Sequence, residues 1–363
     1  MSSTFTFGLY ALHLPLCKEG VFLFMGEALM FRAGSGDEIG SWQFVTNIIT
    51  QSQQFTLPAK IKDNKVFVRL FGGGGGALST RLTNDSGSIS AAGGGGWMNS
   101  GWINITPGSV ISISIGGGGA RTYLSSGGYG SGGSGGTTSF GTYLSAAGGT
   151  GGCYNNKGIY GGSGGSGGAV FVSNCNKNIY GGTGHQFGGG SAVAWYKYGG
   201  QPNNIVGGSG GANGGSGSAV YVNSSGRNNI SNANDGINTI SILNESNGIE
   251  ANGIGYGLGG GYAGGGGGYG ANGGKAGNYS TQTVYPLPGG GGGYGKNGYG
   301  GTPNSWWRAG NQNVAGGGGA YGPGGSNAFG DSITIYNAPG YGAGGSSDEH
   351  GMSGICIIQY YSR

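Results

Sequence analysis

Aromatic side chains beside a cation are the residues of this chain best suited to binding a ligand. Tryptophan and tyrosine combine a large ring with a polar edge, so they cover much surface at a small cost in conformational entropy. The candidates lie in glycine-poor stretches between glycine runs. The alternative is that the rings pack over the glycine-rich part of the chain. The candidate binding residues are Trp195, Tyr196, Lys197, Tyr198, Tyr285, Trp306, Trp307, Arg308 and Tyr336.

Two other motifs look like reactive or nucleotide-binding sites but lack parts of them. One motif consists of the adjacent residues Asp348, Glu349 and His350, whose side chains could bind a metal ion or transfer a proton. However, adjacent residues of an extended chain point in different directions. A solvated turn is therefore the better interpretation. The stretch 290–297, GGGGYGKN, has Asn297 where a phosphate-binding loop needs serine or threonine, and the sequence after it cannot begin a helix.

Cysteine, histidine and carboxylate residues show no metal-ligand or catalytic spacing. The four cysteines contain no C-x-x-C pair, and the three histidines are scattered. Cys153 and Cys175 flank one glycine block and could form a disulfide, although free thiols are favoured because cysteines are few. No pair of carboxylates has a supporting framework for acid–base chemistry. We therefore predict neither an enzyme nor a bound cofactor or metal.

Glycine dominates the composition, with 98 of 363 residues, against a usual share of about 7 %. The 9 prolines are too few for collagen, and the glycines come in runs rather than at every third position. Interspersed aromatic residues, 22 of them tyrosine, argue against a disordered linker. The net charge of +4 includes no basic run, which predicts no nucleic acid partner. The apolar stretch 5–16 is too short to insert across a membrane and lacks the preceding charge of an export signal.

Alternating apolar residues predict strands on both sides of the glycine-rich middle. In the stretch 110–115, isoleucines alternate with serines, which is typical of a half-buried strand. The dense apolar run 354–361, GICIIQYY, is typical of a central strand and needs neighbours, which the strands at 55–71 and 102–115 can supply. Trp97 and Trp102 adjoin these strands, and we assign them to the core.

These strands predict a mainly β protein with little or no α-helix. Its two ends pair into an antiparallel β-sandwich that carries a long glycine-rich insertion. The first 50 residues, with two apolar strands joined by a two-residue turn, are a separate β module. Glycine-poor stretches of the insertion, among them 194–206 and 302–314, are predicted to be loops. The predicted domains are residues 1–50 (N-terminal β module), 51–120 (first part of the sandwich), 121–329 (glycine-rich insertion) and 330–363 (C-terminal strands completing the sandwich).

The glycine runs, of which 259–270 is an example, predict a bundle of polyglycine II helices. Such a helix has three residues per turn and no internal hydrogen bonds, so its N–H and C=O groups must pair with neighbouring helices. Without side chains the backbones can approach closely. Residues 161–174 and 207–225 form a loose repeat of a glycine run followed by a short strand. Irregular spacing argues against a solenoid of fixed period.

Several motifs, in this order, resemble those of the glycine-rich tail-fibre proteins of bacteriophages and prophages. The resemblance covers about residues 50–363. It rests on QFTLP at 54–58, VFVRLFGGGGG at 66–76, ITPGSVISISIGGGG at 105–119, GGTTSFGTYLSAAGG at 135–149 and the closing GICIIQYY.

The resemblance implies a tail-fibre or tail-tip adhesin of the virion. In that class a rigid polyglycine II bundle displays variable loops that bind a bacterial outer-membrane protein or surface polysaccharide. We expect residues 1–50, which do not resemble the attachment region of T-even adhesins, to dock onto other tail or tail-fibre subunits; a homotrimer and a single tip subunit both remain open. The alternative is a purely structural glycine-rich virion or surface-layer component without a receptor.

Overall fold

The chain divides into two units, Met1–Ser41 and Trp42–Arg363. The structure, a computed structural model, describes residues 41–81, 88–125, 127–173, 177–185, 188–191, 193–197, 204–211, 216–217, 219–223, 226–231, 290–291, 340–346 and 349–363. The predicted hairpin of the first 50 residues, the glycine run 259–270 and the stretch 302–314 lie outside these ranges.

The described residues form twenty strands and one short 3-10 turn, Lys62–Asn64, and contain no α-helix, so the prediction of a mainly β protein is confirmed. The strands are β1 Gln43–Ile49, β2 Gln53–Thr56, β3 Lys65–Phe71, β4 Leu78–Arg81, β5 Ser88–Ala91, β6 Met98–Asn104, β7 Val110–Ser114, β8 Thr122–Leu124, β9 Gly130–Ser131, β10 Thr138–Phe140, β11 Leu144–Ala146, β12 Cys153–Tyr154, β13 Ile159–Tyr160, β14 Val170–Ser173, β15 Ile179–Tyr180, β16 Val193–Lys197, β17 Ile205–Val206, β18 Ala219–Asn223, β19 Gly226–Ser231 and β20 Ile355–Ser362.

Two four-stranded sheets are antiparallel throughout. The first has the order β1-β20-β3-β6, and the second has the order β11-β10-β7-β2. Strand β20 lies between β1 and β3, where its Cys356 is opposite Ile49 on one side and Leu70 on the other. The prediction of a central strand near residues 354–361 that pairs with the strand near residue 70 is confirmed.

One hydrophobic cluster collects residues from both antiparallel sheets. Cys356, Ile358 and Tyr360, which alternate along β20, contribute to it from the first sheet, and Ile111 and Ile113 of β7 contribute from the second. The residues between these isoleucines are exposed, as the alternation predicted. Burying an aliphatic side chain contributes about 1.5–3 kcal/mol, so this cluster is a principal source of stability for the two sheets.

Strand pairing crosses the boundaries predicted from the sequence. β1, which lies in the predicted N-terminal module, pairs with the C-terminal strand β20. β5 precedes the predicted insertion but pairs with β14 inside it, whereas β10 lies inside the insertion and pairs with β7. The physical reason is that the glycine runs lead the chain back and forth between sheets, and residue types alone do not reveal where each run ends.

Two further sheets combine parallel and antiparallel pairs. The five-stranded sheet has the order β17-β15-β13-β12-β9, and the seven-stranded sheet has the order β19-β18-β16-β14-β5-β4-β8. Strands β13, β15 and β17 are parallel and in register, and so are β14, β16 and β18. Successive sequence repeats therefore stack side by side. The spacing between repeats is uneven, as the sequence indicated, yet their strands align.

Hydrogen bonds from residues 72–77, which are five glycines followed by Ala77, repeat every three residues. Their six N–H groups donate to three neighbouring segments, with donor–acceptor distances of 2.8 to 3.1 Å. Residues three positions apart donate to the same neighbouring segment. All three neighbouring segments are antiparallel to residues 72–77. The donor–acceptor pairs are Gly72 to Trp97, Gly73 to Gly136, Gly74 to Met352, Gly75 to Gly94, Gly76 to Gly133 and Ala77 to Glu349.

The carbonyls of the same run accept hydrogen bonds from other segments. Gly149 and Gly152 donate to Gly73 and Gly76, so that the three-residue interval recurs, here with a parallel neighbour. The remaining pairs are Gly119 to Gly74, Thr122 to Ala77 and Gly345 to Gly75. A Cβ atom added at any of residues 72–76 would overlap a backbone carbonyl of a neighbouring segment. The backbones therefore approach too closely for any side chain at these positions.

Candidate functional site

Three of the candidate binding residues lie in a strand rather than in a loop. Trp195, Tyr196 and Lys197 belong to β16, which pairs in parallel with β14 on one side and β18 on the other. The prediction of a loop over 194–206 is therefore wrong for residues 194–197, and also for Ile205–Val206, which form β17. Trp195 lies directly opposite Val172 of the neighbouring strand β14.

A sequence signal for this strand exists. The stretch 178–197 repeats the pattern of its neighbours, with an isoleucine, one further residue and two glycines, then a glycine run and a short apolar segment. It is the copy between the two repeats identified above, and longer insertions of other residues conceal it. The other candidates lie outside the described residues: Tyr198, Tyr285, Trp306, Trp307, Arg308 and Tyr336.

An aromatic row lies on the outer face of the five-stranded sheet. The inner face carries Tyr154 and three isoleucines, at positions 159, 179 and 205, all buried in one hydrophobic cluster. Because partners in register share a face and successive residues alternate, the residues between them point outward. We call this outward row the tyrosine strip. It consists of Ser131, Cys153, Tyr160, Tyr180 and Val206.

The two tyrosine rings of the strip stack on each other. The ring centroids of Tyr160 and Tyr180 are 5.0 Å apart, with an angle of 11° between the ring planes. The side-chain amide of Asn204 donates a hydrogen bond of 3.2 Å to the Tyr180 hydroxyl. Val206, at the end of the row, is 44 % exposed. The strip thus offers ring edges and hydroxyl groups to solvent.

Burial raises the pKa of the Tyr160 phenol, and the neighbouring Tyr180 and Cys153 raise it further because their ionised forms would repel a phenolate. The phenol therefore stays protonated at neutral pH. A protonated hydroxyl can donate a hydrogen bond as well as accept one. This chemistry suits a ligand rich in oxygen atoms.

A second exposed surface lies on the first antiparallel sheet. Phe44, Ile48 and Trp102 are 41 %, 58 % and 45 % exposed, so the assignment of Trp102 to the core is wrong. The Trp102 ring instead contacts the ring of Phe67 edge to face. At one end of this sheet the Arg363 guanidinium lies 4.9 Å from the centre of the Trp42 ring. Exposed aromatic and aliphatic residues at this density are typical of contact surfaces.

The structure describes two residues of the acidic stretch, Glu349 and His350, and two of the cysteines. The Glu349 N–H donates to the Ser346 carbonyl at 2.8 Å, a spacing typical of a turn, whereas Asp348 lies outside the described residues. The His350 imidazole accepts a hydrogen bond from the Arg121 N–H at 3.3 Å. Cys153 and Cys356 are free thiols, which confirms the preference for a free Cys153.

No group of three or more His, Cys, Asp or Glu side chains comes together within the described ranges. In the same part of the chain, no helix has the length and apolar character needed to cross a membrane. Comparison with known proteins gives no match to a protein-family model and none to a curated protein sequence.

Proposed function

We propose that the glycine runs form a polyglycine II helix bundle inserted into an antiparallel β-sandwich. The support is the three-residue interval of the hydrogen bonds made by residues 72–77 to six surrounding segments. The sandwich would consist of the two antiparallel sheets that share one hydrophobic cluster. Each interior hydrogen bond contributes only about 0.5–1.5 kcal/mol, so the cluster is needed to offset the ordering cost of the glycines.

We propose that the protein is a phage tail-fibre or tail-tip adhesin that binds a bacterial surface receptor, either an outer-membrane protein or a polysaccharide. One observation carries this proposal: side-chain-free segments hold the sheets in place, while aromatic residues such as Tyr160 and Tyr180 line an outer face. A preordered scaffold lowers the entropy cost of binding. The proposal includes no catalytic step, no cofactor and no nucleic acid partner.

The proposed location is the tail of the virion. Residues 1–50 would attach the chain to other tail or tail-fibre subunits. The exposed residues Phe44, Ile48 and Trp102 are compatible with a further contact between subunits, such as a homotrimer. A purely structural component of a virion or surface layer would also need such contacts. These exposed residues are the reason to retain it as the second candidate function.

Whole-cell binding separates the two candidates. The fluorescently labelled full-length protein would be incubated with a panel of bacterial strains, and bound protein would be measured after washing. An adhesin should bind some strains saturably and not others, whereas a structural component should bind none above the level of a labelled unrelated protein. Treating the cells with protease or with periodate then distinguishes a protein receptor from a glycan. Failure of the folded protein to bind any strain would contradict the adhesin proposal.

The segments predicted to contact the receptor can be tested in the same assay. Exchanging residues 302–314, or residues 198–203 between β16 and β17, for segments of equal length should change strain preference without lowering the melting temperature. Residues 194–197 are excluded because they form β16. Unchanged binding after both exchanges would show that the receptor contact lies elsewhere on the chain.

A further inference from the structure

The middle of the chain has an uncompensated positive charge. No aspartate or glutamate occurs between Asp85 and Asp235, whereas five basic residues do: Arg121, Lys157, Lys177, Lys197 and Arg227. The overall net charge of +4 conceals this segregation, because most acidic residues lie toward the two ends of the chain. The part of the protein that contains the five-stranded sheet can therefore attract an anionic partner.

The parallel register places two of these cations at one end of the strands that carry Tyr160 and Tyr180. Lys157 and Lys177 each stand two residues before an isoleucine, and those isoleucines, Ile159 and Ile179, are opposite each other in β13 and β15. The two lysines thus occupy equivalent positions at the same end of neighbouring strands. Lys157 is exposed and Lys177 is partly exposed. Within the described ranges neither lysine forms a salt bridge.

Carboxamide groups extend the polar surface. Asn178 and Asn204 each precede an isoleucine of the same register and so lie on the outer face with Tyr180. Asn204 orients the Tyr180 hydroxyl through its hydrogen bond. Amides, phenols and ammonium groups together can donate to hydroxyl, ring and carboxylate oxygens along an extended chain.

We propose that the tyrosine strip, with Lys157 and Lys177 at its end, binds an acidic polysaccharide. This inference rests on the proposed adhesin function and names a ligand class for it. The two lysines, in a stretch of sequence with no aspartate or glutamate between Asp85 and Asp235, provide the charge complementarity. The row of tyrosine and asparagine side chains provides hydrogen bonds at regular intervals. The site extends across β12, β13, β15 and β17, so it suits a chain-like ligand rather than a single small molecule.

The stacking geometry favours a glycan over a nucleic acid. Proteins bind single-stranded nucleic acid by stacking bases on free aromatic faces. In the strip, Tyr160 and Tyr180 each cover one face of the other, and the register places Cys153 and Val206 next to their other sides, which leaves mainly edges and hydroxyl groups toward solvent. Sugar hydroxyls and carboxylates can use those groups, whereas bases need the faces.

Purified polysaccharides of matched length test the proposal. Binding of the full chain to polygalacturonate, neutral dextran and single-stranded oligothymidylate would be measured by biolayer interferometry. We expect polygalacturonate to bind, dextran to bind at least tenfold more weakly, and added sodium chloride to weaken the binding. The double variant K157Q/K177Q should bind polygalacturonate about tenfold more weakly, since two exposed ionic contacts are lost.

Matched variants control for net charge and for ring loss. K60Q/K65Q removes the same charge from exposed lysines near the first sheet, and it should keep wild-type binding. Tyr180→Leu should weaken binding, whereas Tyr123→Leu, which removes an exposed tyrosine of β8, should not. Melting curves of all variants identify any that fail to fold. If Tyr180→Leu does not fold, the K157Q/K177Q variant decides the test.

Three outcomes would overturn the proposal: equal binding of polygalacturonate and dextran, equal losses in K157Q/K177Q and K60Q/K65Q, or oligothymidylate binding that depends on Lys157 and Lys177 in the same way. If the wild-type protein binds bacterial cells but K157Q/K177Q and Tyr180→Leu bind them equally well, the strip is not the receptor site and the adhesin proposal stands. If no cells are bound, the adhesin proposal itself fails.

Discussion

Two adjacent glycines in one run, Gly116 and Gly117, test the importance of close backbone approach. A Cβ added at Gly116 would overlap the carbonyl of Gly136 and lie 2.9 Å from the carbonyl carbon of Thr137, whereas a Cβ at Gly117 would meet no atom within 4 Å. Both residues have backbone angles open to alanine, since neither has a positive φ. Gly116→Ala and Gly117→Ala therefore differ in packing alone.

The expected effects have opposite signs. Gly117→Ala restricts the unfolded chain without strain and should stabilise the protein by about 0.4–1 kcal/mol. Gly116→Ala must displace a segment whose hydrogen bond from Gly73 to Gly136 measures 2.9 Å, and it also disturbs the bond from Gly354 to Gly116 at 2.8 Å. Two hydrogen bonds at about 0.5–1.5 kcal/mol each, plus overpacking of about 1–3 kcal/mol, would give about 2–6 kcal/mol if both bonds were lost. We expect a destabilisation of about 3 kcal/mol, because the bonds are weakened rather than broken.

Urea and thermal unfolding, followed by circular dichroism, measure both variants. At about 2 °C per kcal/mol for a chain of this size, Gly116→Ala should lower the melting temperature by about 6 °C, and Gly117→Ala should raise it slightly. Equal melting temperatures would refute the reasoning, because the backbone at Gly116 would then have room for a side chain. A larger loss for Gly117→Ala would refute it as well.

Three further predictions concern the core, the buried thiol and the tyrosine strip. Phe140→Ala should cost about 3–5 kcal/mol in urea unfolding because Phe140 is fully buried, whereas Tyr143→Ala, at 50 % exposure, should stay within about 1 kcal/mol of wild type. Burial raises the pKa of Cys356 from 9.0 to about 12, so between these pH values the unfolded chain loses the thiol proton while the folded chain keeps it. The free energy of unfolding should therefore fall by up to about 1.4 kcal/mol per pH unit in this range. In Cys356→Ala the free energy of unfolding should fall less steeply with pH. Val206→Tyr should add a ring next to Tyr180 and stabilise the protein by about 0.5–1.5 kcal/mol in urea, whereas Val110→Tyr, on an exposed position of β7, should not.

The parts of the fold that follow from side-chain pattern were predictable. Alternation of isoleucine and serine located β7, and a dense apolar run located β20 as a central strand. Both signals arise because one or both faces of the strand are buried, and burial selects residue types at fixed intervals. The same reasoning assigned Trp102 to the core and was wrong there, because proximity to a strand does not decide which face a residue occupies.

The connectivity of the glycine-rich part was not predictable from the sequence. Partners such as Gly74 and Met352 are far apart in the sequence, and glycine has no side chain whose type could mark its neighbour. Two-residue strands such as β13 and β15 are too short to show alternation. The loop predicted at 194–206 was wrong in part for a related reason: where glycine runs are themselves ordered, a glycine-poor stretch can be the strand that follows a run.

Parallel stacking of repeats explains how the glycines and the exposed face depend on each other. The tyrosines form a row because they lie on neighbouring parallel strands, about 4.8 Å apart. Between two parallel strands the chain must return to the end of the sheet where the first strand began. Glycine-rich segments such as residues 161–164 make that return, and a Cβ atom at Gly161, Gly162 or Gly164 would overlap a neighbouring backbone. Gly161 donates to the Tyr180 carbonyl and Gly164 donates to that of Thr183, again three residues apart. Buried positions of these segments hold glycine, alanine or serine, such as Ser166 and Ala169, while the outward positions differ between Tyr160, Tyr180 and Val206. The proposed role in recognition would account for this row of side chains, which a spacer would not need.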